Sequence, residues 1–310
     1  MRRECPKSSL VTTPRSAERR PDVPYSLDSR IPWLIMIERT PRIERRSERG
    51  LTRLTDRDLW MLEALGRMRF LTTSQLARLA FGKSRPAANK RLRQLLNSGL
   101  VRTWMRDLAR DNIYGLTEIG ARLLDPPPGK MPWPTPRGLD RQLDHLLLIN
   151  DIRIAFILGL VSVGGELNWW KSDWELRQQS RERVIPDALF RIAWNGGQIY
   201  ALEVDNNTKS PRSIITKLVR YKALSECGVY GAHSYITLIV GRDEAYLERC
   251  REFSSRSGLN FPCWFTSFPK LEQHGILSPI WTSINGESSP SLPGLLVPPY
   301  RKEAAVPLST

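Results

Sequence analysis

The stretch "IPDALFRIAWNGGQIYALEVD", residues 185–205, alternates apolar and polar side chains on both sides of a glycine-containing turn. Alternation with a period of two is typical of a β-strand that buries one face. The segment Asn195-Gly196-Gly197 fits the turn of a hairpin. The stretch therefore predicts two antiparallel strands that share one apolar face, built from the even positions Phe190, Ile192, Trp194, Tyr200, Leu202 and Val204.

The odd positions of the same two strands carry most of the charge. They include Asp187, Arg191, Glu203 and Asp205. A three-residue turn keeps the apolar residues of both strands together and predicts that Asp187 lies opposite Asp205, on the face that also holds Glu203. A two-residue turn would separate the apolar residues. Because three adjacent carboxylates repel one another without a cation or a proton, we expect these three to be candidate metal ligands.

A second interpretation of these carboxylates is structural. Glu203 and Asp205 could pair with Arg191, Arg212 or Arg220 in a surface network that has no further role, because such networks also gather charges.

The elements around the hairpin predict an α/β domain with a mixed sheet over residues 139–280. A long apolar helix begins near Leu139, and "NWWKSDWELRQ" is expected to form a strand before the hairpin. After the hairpin, helices alternate with strands, a pattern typical of parallel pairing. The segments expected there are "SPRSIITKLVRYKALS", "YITLIVG", "DEAYLERCREFSSR" and "CWFTSF".

Three segments of the chain are expected to lie outside folded domains. Residues 1–50 are rich in Arg, Pro and Ser and predict disorder, and Met36 within them is an alternative translation start. Six prolines within residues 125–138 predict an extended linker over residues 126–138. Residues 281–310, again rich in Pro and Ser, predict a tail.

Residues 51–125 predict an N-terminal winged helix-turn-helix. Three helical segments come first, "TDRDLWMLEALGRMR", "TTSQLARLAFG" and "SRPAANKRLRQLLNSG". Thr55 and Ser84 are expected as N-caps, and Gly82 and Gly99 as helix stops. Two strands joined by a polar turn and a closing helix follow, in "LVRTWM", "IYGLT" and "EIGARLL".

The third helix of this domain has a polar outer face. Side chains there could reach base edges and phosphates of duplex DNA, and two arginines of the wing would extend the contact. The predicted DNA-binding residues are Arg85, Asn89, Lys90, Arg93, Arg106 and Arg110. The alternative is a winged helix that contacts proteins, with its cations serving as a solvated face.

The composition agrees with a nucleic-acid partner. The chain has 47 Lys and Arg against 32 Asp and Glu, a formal net charge of +15. Such a charge favours a polyanion, with double-stranded DNA first. The four cysteines have no zinc-ligand spacing. The apolar run "IAFILGLVSVGG" is shorter than the ~20 residues that cross a bilayer, so we expect a cytoplasmic protein without a membrane partner.

The predicted second domain resembles the core of PD-(D/E)XK nucleases in the order of its elements. The motif residues are Pro186-Asp187 on one strand and Glu203-Val204-Asp205 on the next. The resemblance implies Mg²⁺ on Asp187, Glu203 and Asp205 if the site is active. Asp205 stands where that family has a lysine, and Lys217 of the following helix is the candidate replacement, ahead of Lys209. Asp144 or Asp151 would supply the acid of the first helix, with His145 beside them.

The whole arrangement resembles the replication-relaxation family of plasmids and mobile elements over about residues 55–250. The similarity rests on the two-domain order and on "PDALF...ALEVDNNTKSPRSIITKLVRYKAL", which includes Lys217 and Tyr221. It implies a DNA-binding accessory protein of plasmid replication, relaxation or mobilisation, with replication or transfer proteins as partners. Two alternatives stay open. One is a Mg²⁺-dependent endonuclease with Asp187, Glu203, Asp205 and Lys217 as catalytic residues, and the other is a transcriptional regulator.

Overall fold

The computed structural model describes residues 54–105, 110–124, 140–179, 182–193, 197–206, 210–228 and 235–295. The predicted disordered segment, the predicted linker and Arg106 lie outside these ranges. The chain divides into two compact units, and the division falls between Gly159 and Leu160. The fold is α/β, and each unit has its own sheet.

The first unit consists of helices and one small sheet. Its strands lie in the order β1-β3-β2, and all pairs are antiparallel. Strand β1 is absent from the sequence prediction because three residues are too few to show a period. The elements are α1 (Asp56–Met68), β1 (Phe70–Thr72), α2 (Thr73–Ala80), α3 (Arg85–Asn97), β2 (Val101–Trp104), β3 (Ile113–Leu116), α4 (Glu118–Ala121) and α5 (Asp140–Ser162).

Capping boxes set the start of the first two helices. Thr55 accepts a hydrogen bond from the Asp58 N–H, and the Asp58 carboxylate accepts one from the Thr55 N–H. Thr72 and Gln75 make the same exchange at α2. Each box satisfies backbone donors that a helix start would otherwise leave without partners. The predicted cap at Thr55 is confirmed.

Both faces of the small sheet are covered. Leu71, Val101 and Tyr114 belong to a core with side chains of α1, α2 and α3. Phe70 and Ile113 pack on Leu143 of α5 at the opposite face, where Trp104 meets Phe70 edge to face with ring centroids 5.4 Å apart. Helix α5 therefore completes the first unit through Gly159, whereas the sequence prediction assigned it to the second domain.

Helix α5 is also the candidate for a membrane span within the described residues. Its segment Gln142–Ser162 is long and apolar enough, but Asn150, Asp151 and Arg153 interrupt it. The Asn150 amide donates to the carbonyls of Met68 (3.1 Å) and Phe70 (2.8 Å). These contacts tie the middle of α5 to the end of α1 and to β1.

The second unit holds a mixed six-stranded sheet in the order β4-β5-β6-β7-β8-β9. Strands β6, β7 and β8 are parallel, and the remaining pairs are antiparallel. After α5, the elements are β4 (Glu166–Ser172), α6 (Asp173–Gln179), β5 (Ala188–Ala193), β6 (Gln198–Asp205), α7 (Pro211–Glu226), β7 (Ile236–Gly241), α8 (Glu244–Arg256), β8 (Cys263–Ser267), α9 (Phe268–His274) and β9 (Thr282–Ser283).

The structure corrects the sequence prediction for two segments of this unit. The strand expected over "NWWKSDWELRQ" ends at Ser172, where the Glu175 carboxylate accepts a hydrogen bond from the Ser172 N–H (2.7 Å) and α6 begins. The tail expected from residue 281 contains β9 and buried side chains up to Leu295. Trp281 is 1% exposed, and its indole N–H donates to the Ile276 carbonyl (3.0 Å).

The hairpin of β5 and β6 lies in the middle of the sheet with both faces buried. On the predicted apolar face, Phe190 stacks between Trp170 and Tyr200, with centroids 4.7 and 5.2 Å away. On the other face, Leu189 and Ala201 pack in a core that includes side chains of α7 and α8. The odd positions of β6 therefore face helices.

Candidate functional site

Helix α3 presents a polar outer face because its apolar residues all lie on one side. Ala88, Leu92 and Leu95 are buried, and Pro86 stands in the first turn, where the missing N–H costs nothing. Asn89, Lys90 and Arg93 are exposed. No acidic residue occurs between Arg85 and Asn97. Among the described residues, neither Lys90 nor Arg93 has an ion-pair partner.

Arg85, also predicted to contact DNA, is paired with an acid of the first unit. Its guanidinium donates to Asp111 Oδ1, and Asp111 Oδ2 accepts from the Ser74 N–H (3.0 Å) at the start of α2. Asp111, in the loop before β3, thus binds the first turn of α2 and the first residue of α3. Arg110 is exposed.

Arg91 is a functional candidate that the sequence prediction missed. Its Nε and Nη2 donate to the two carboxylate oxygens of Asp58, at 2.7 and 2.5 Å. Asp58 is completely buried and also accepts from the N–H and the hydroxyl of Thr55, both at 2.7 Å. The signal visible in the sequence is the capping box of Thr55 and Asp58. The partner lies 33 residues away on another helix.

Positive charge is concentrated in the first unit. Residues 54–159 carry 17 Lys and Arg against 10 Asp and Glu, whereas residues 160–295 carry 15 against 14. The net charges are +7 and +1. Because phosphate neutralisation dominates affinity for DNA, the first unit is the better electrostatic match for a nucleic acid.

The predicted register of the hairpin is wrong by two residues. The last paired residues are Ile192 and Gln198, so the connection has five residues. The predicted connection had only the three residues Asn195-Gly196-Gly197. Continuation of this register places Asp187 opposite Glu203. The Asp187 N–H donates to the Leu202 carbonyl (3.0 Å). A shift of two residues preserves the faces, so the odd face still holds Asp187, Glu203 and Asp205.

Glu203 is the centre of a buried hydrogen-bond cluster. It is 1% exposed and accepts from Lys217 Nζ at Oε1 and from the Tyr221 hydroxyl at Oε2 (2.6 Å). Lys217 and Tyr221 lie one turn apart on α7, so both reach the same strand. The structure therefore brings together Glu203 and the lysine that the sequence proposed from the following helix.

Burial raises the pKa of the Tyr221 hydroxyl well above its ordinary value of 10.0, and the charges of Glu203 and Asp187 raise it further. Tyr221 is fully buried and holds its proton as a hydrogen-bond donor. Its backbone carbonyl accepts from the Tyr235 hydroxyl (2.6 Å), which fixes this part of α7.

Asp205 lies in a separate set of contacts. Its Oδ2 accepts from the Tyr246 hydroxyl of α8 (2.6 Å), and within the described part of the chain its buried Oδ1 has no hydrogen-bond partner. Burial and the hydrogen bond to Asp205 raise the pKa of Tyr246. Nothing in the local sequence of β6 indicates a tyrosine 41 residues away.

Asp187 lies at the start of β5 with its carboxylate turned to the backbone of β6. Its Oδ2 accepts from the Val204 N–H (2.7 Å), and its backbone carbonyl accepts from the Asp173 N–H (3.1 Å). The side chain thus stabilises the junction of β5 and β6.

These contacts do not fit a magnesium site. Both carboxylate oxygens of Glu203 accept hydrogen bonds. Asp205 Oδ2 accepts from Tyr246, and Asp187 Oδ2 accepts from a backbone N–H of β6. Among the residues that the structure describes, no three His, Cys, Asp or Glu side chains are placed to hold a metal ion. Hard cations need several open oxygen ligands directed at one point.

The acids expected from the first helix belong to the first unit, because α5 packs there. Asp151 accepts from Arg78 of α2 (2.8 Å). Asp144 and His145 lie on α5, seven and six residues before Asp151. Arg220, which the structural interpretation paired with Glu203 or Asp205, donates to Glu182 instead.

Comparison with known proteins gives one match. The family model described as replication-relaxation matches residues 62–239. No curated protein and no solved structure matches the chain. Since the family model covers more than half of the 310 residues and spans both α3 and the Glu203 cluster, the chain belongs to the replication-relaxation family.

Proposed function

We propose that the chain is a DNA-binding accessory protein that acts in the cytoplasm in the replication, relaxation or mobilisation of a plasmid or mobile element. The family indicates the replication or relaxation role. The observation that carries the DNA-binding role is the outer face of α3, where Lys90 and Arg93 are exposed on a helix without acidic residues.

The proposal treats the first unit as a winged helix that places α3 in the major groove. Two observations support this. Three helices are followed by the hairpin of β2 and β3, and β1, which lies between α1 and α2 in the chain, pairs antiparallel with β3. A recognition helix in the major groove contacts base edges with its outer face, and the hairpin reaches the flanking backbone.

The proposal treats the second unit as a PD-(D/E)XK-like fold without catalysis. The mixed sheet and the Pro186-Asp187 and Glu203 positions support the likeness. The occupied carboxylate oxygens of Glu203 support a structural use of this residue, because Lys217 and Tyr221 already compensate its buried charge.

The test is DNA binding by the full chain, measured by fluorescence anisotropy with a labelled 30-base-pair duplex over a series of salt concentrations. Charge reversal in Lys90→Glu/Arg93→Glu is expected to abolish measurable binding. A milder pair, Lys90→Met/Arg93→Met, should lower the slope of log affinity against log salt by about 2, since each phosphate contact contributes about 0.9.

The matched control is Arg212→Glu/Arg242→Glu, which makes the same charge change at two exposed positions of the second unit. This variant should retain the wild-type slope within about 0.5. Equal losses in both charge-reversal variants would show that binding follows overall charge and would contradict a site on α3.

A further inference from the structure

The outer face of α3 depends on how the helix is rotated about its axis, and two acids hold that rotation. Asp58 of α1 binds Arg91, and Asp111 binds Arg85. Arg91 and Arg85 lie on opposite flanks of α3, on either side of the exposed Lys90 and Arg93. The two contacts therefore hold the helix from both sides.

The contact at Asp58 is the stronger of the two. Its carboxylate receives four hydrogen bonds, two from the Arg91 guanidinium and two from Thr55, and it has no exposed surface. The fork of an arginine matches a carboxylate in one orientation, so the pair fixes direction as well as distance. Thr55 in turn fixes Asp58, because the same carboxylate completes the capping box of α1.

We infer that Asp58 is a positioning residue for DNA recognition, which acts through Arg91 to set the rotation of α3 and so the direction of Lys90 and Arg93. The inference rests on the proposed function. Arg91 is directed at α1 and not at the DNA, although it lies among the cations of the recognition helix. It therefore contributes geometry rather than a phosphate contact.

Positioning by Asp58 and its negative charge have opposite effects on DNA affinity. Removal of a negative charge near a DNA-binding surface should tighten binding if charge alone matters. Asp58→Asn removes the charge but retains an oxygen that can accept from Thr55. If Asp58 positions α3, the variant should bind its preferred DNA more weakly in spite of the more favourable net charge.

The experiment uses the full chain and two probes. One is a duplex that the wild type enriches from a pool of random 30-base-pair duplexes, and the other is the unselected pool. Asp58→Asn should lose about tenfold in affinity for the selected duplex, which corresponds to one lost base contact, and at most about threefold for the pool, because the charges of Lys90 and Arg93 remain near the phosphates. Arg91→Lys keeps the charge but cannot form the fork, and it should show the same loss.

The matched control is Asp56→Asn, which removes an exposed acid in the same first turn of α1. It should bind both probes as tightly as the wild type or slightly more tightly. Circular dichroism and thermal unfolding of each variant check that the overall helix content and the fold are retained. If Asp58→Asn fails to fold, Arg91→Lys carries the test.

The outcomes separate the two proposals. Loss of the preference for the selected duplex in Asp58→Asn and Arg91→Lys supports the inference. Wild-type preference in Arg91→Lys, or tighter binding in Asp58→Asn as in Asp56→Asn, overturns the positioning role and leaves DNA binding intact. If the wild-type chain binds the pool but enriches no duplex, the inference fails and DNA binding stands. If it does not bind the pool either, the proposed function and the inference both fail.

Discussion

Replacement of Lys217 by methionine should destabilise the second unit more than the same replacement of Lys222, another half-buried lysine of α7. In the wild type, Lys217 donates to Glu203, whose side chain is 2% exposed, while the lysine side chain is 25% exposed. Methionine preserves most of the aliphatic packing but removes the cation. Glu203 then keeps the Tyr221 hydroxyl as a donor and loses its countercharge.

The size of the effect follows from this burial. Removal of one partner from a buried ion pair costs about 3–5 kcal/mol, because the remaining charge has no compensation. Because Glu203 keeps the hydrogen bond from Tyr221, we expect Lys217→Met to lower the free energy of unfolding by about 3 kcal/mol, the lower end of this range. Glu203→Gln should cost less, about 1 kcal/mol, since the partly exposed lysine can turn to water and Tyr221 can still donate to the amide oxygen.

The double variant Glu203→Gln/Lys217→Met gives the sharpest result. It contains neither charge, so we expect it to be more stable than Lys217→Met alone by about 1–2 kcal/mol, although it has one more substitution. Urea unfolding followed by circular dichroism measures all three variants. Lys222→Met, five residues further along α7, is the matched control and should cost less than about 0.5 kcal/mol.

Two results would refute this reasoning. If Lys217→Met were as mild as Lys222→Met, the contact with Glu203 would contribute nothing to stability. If the destabilisation of the double variant equalled the sum of the two single variants, the charges of Glu203 and Lys217 would not compensate each other. Lys217 would then not be the countercharge of Glu203.

Three further variants test other parts of the structure by unfolding in urea. Tyr221→Phe should cost about 1–3 kcal/mol at neutral pH because Glu203 loses a donor. Because the pKa of Tyr221 is raised in the native state, its contribution to stability is full below pH 10 and falls as the pH rises further. Above pH 10 the free energy of unfolding of Tyr221→Phe should therefore fall less steeply than that of the wild type, by up to ~1.4 kcal/mol per pH unit. Equal slopes for the variant and the wild type would contradict the raised pKa. Trp281→Ala should cost about 3–5 kcal/mol, whereas a neutral effect would show that residues 281–295 are a tail. Asn150→Ala should cost about 1–3 kcal/mol since two backbone carbonyls lose a donor, and no change would contradict the packing of α5 in the first unit.

The faces of the hairpin were predictable from the sequence, whereas its register was not. Alternation tells whether two residues share a face, so Asp187, Glu203 and Asp205 were correctly placed together on the odd face. A three-residue and a five-residue connection give the same alternation. The difference decides whether Asp187 meets Glu203 or Asp205, and only the turn geometry resolves it.

The partners of the two acids of β6 show a similar limit. The resemblance to PD-(D/E)XK nucleases named Lys217 as the candidate lysine of the site, and the structure places its ammonium on Glu203, whereas the hydrogen bond from Tyr221 to Glu203 was not predicted. The contact of Asp205 with Tyr246 depends on how α8 packs against the sheet. No local pattern in either segment carries that information.

Helix α3 was predictable in its faces but not in its contacts. Helical spacing placed Leu92 and Leu95 inside and Lys90 outside, as observed. Arg91 lies at the boundary between the two faces, where periodicity does not decide its partner. Its pairing with Asp58 required the arrangement of α1 and α3.

Hydrogen exchange of the full chain with and without duplex DNA, read by mass spectrometry, would locate the segments that DNA covers. We predict slower exchange over residues 85–97 of α3 on addition of DNA, and unchanged exchange over β6 and α7. Protection confined to β6 and α7, with none in α3, would contradict the claim that the first unit binds DNA through its third helix.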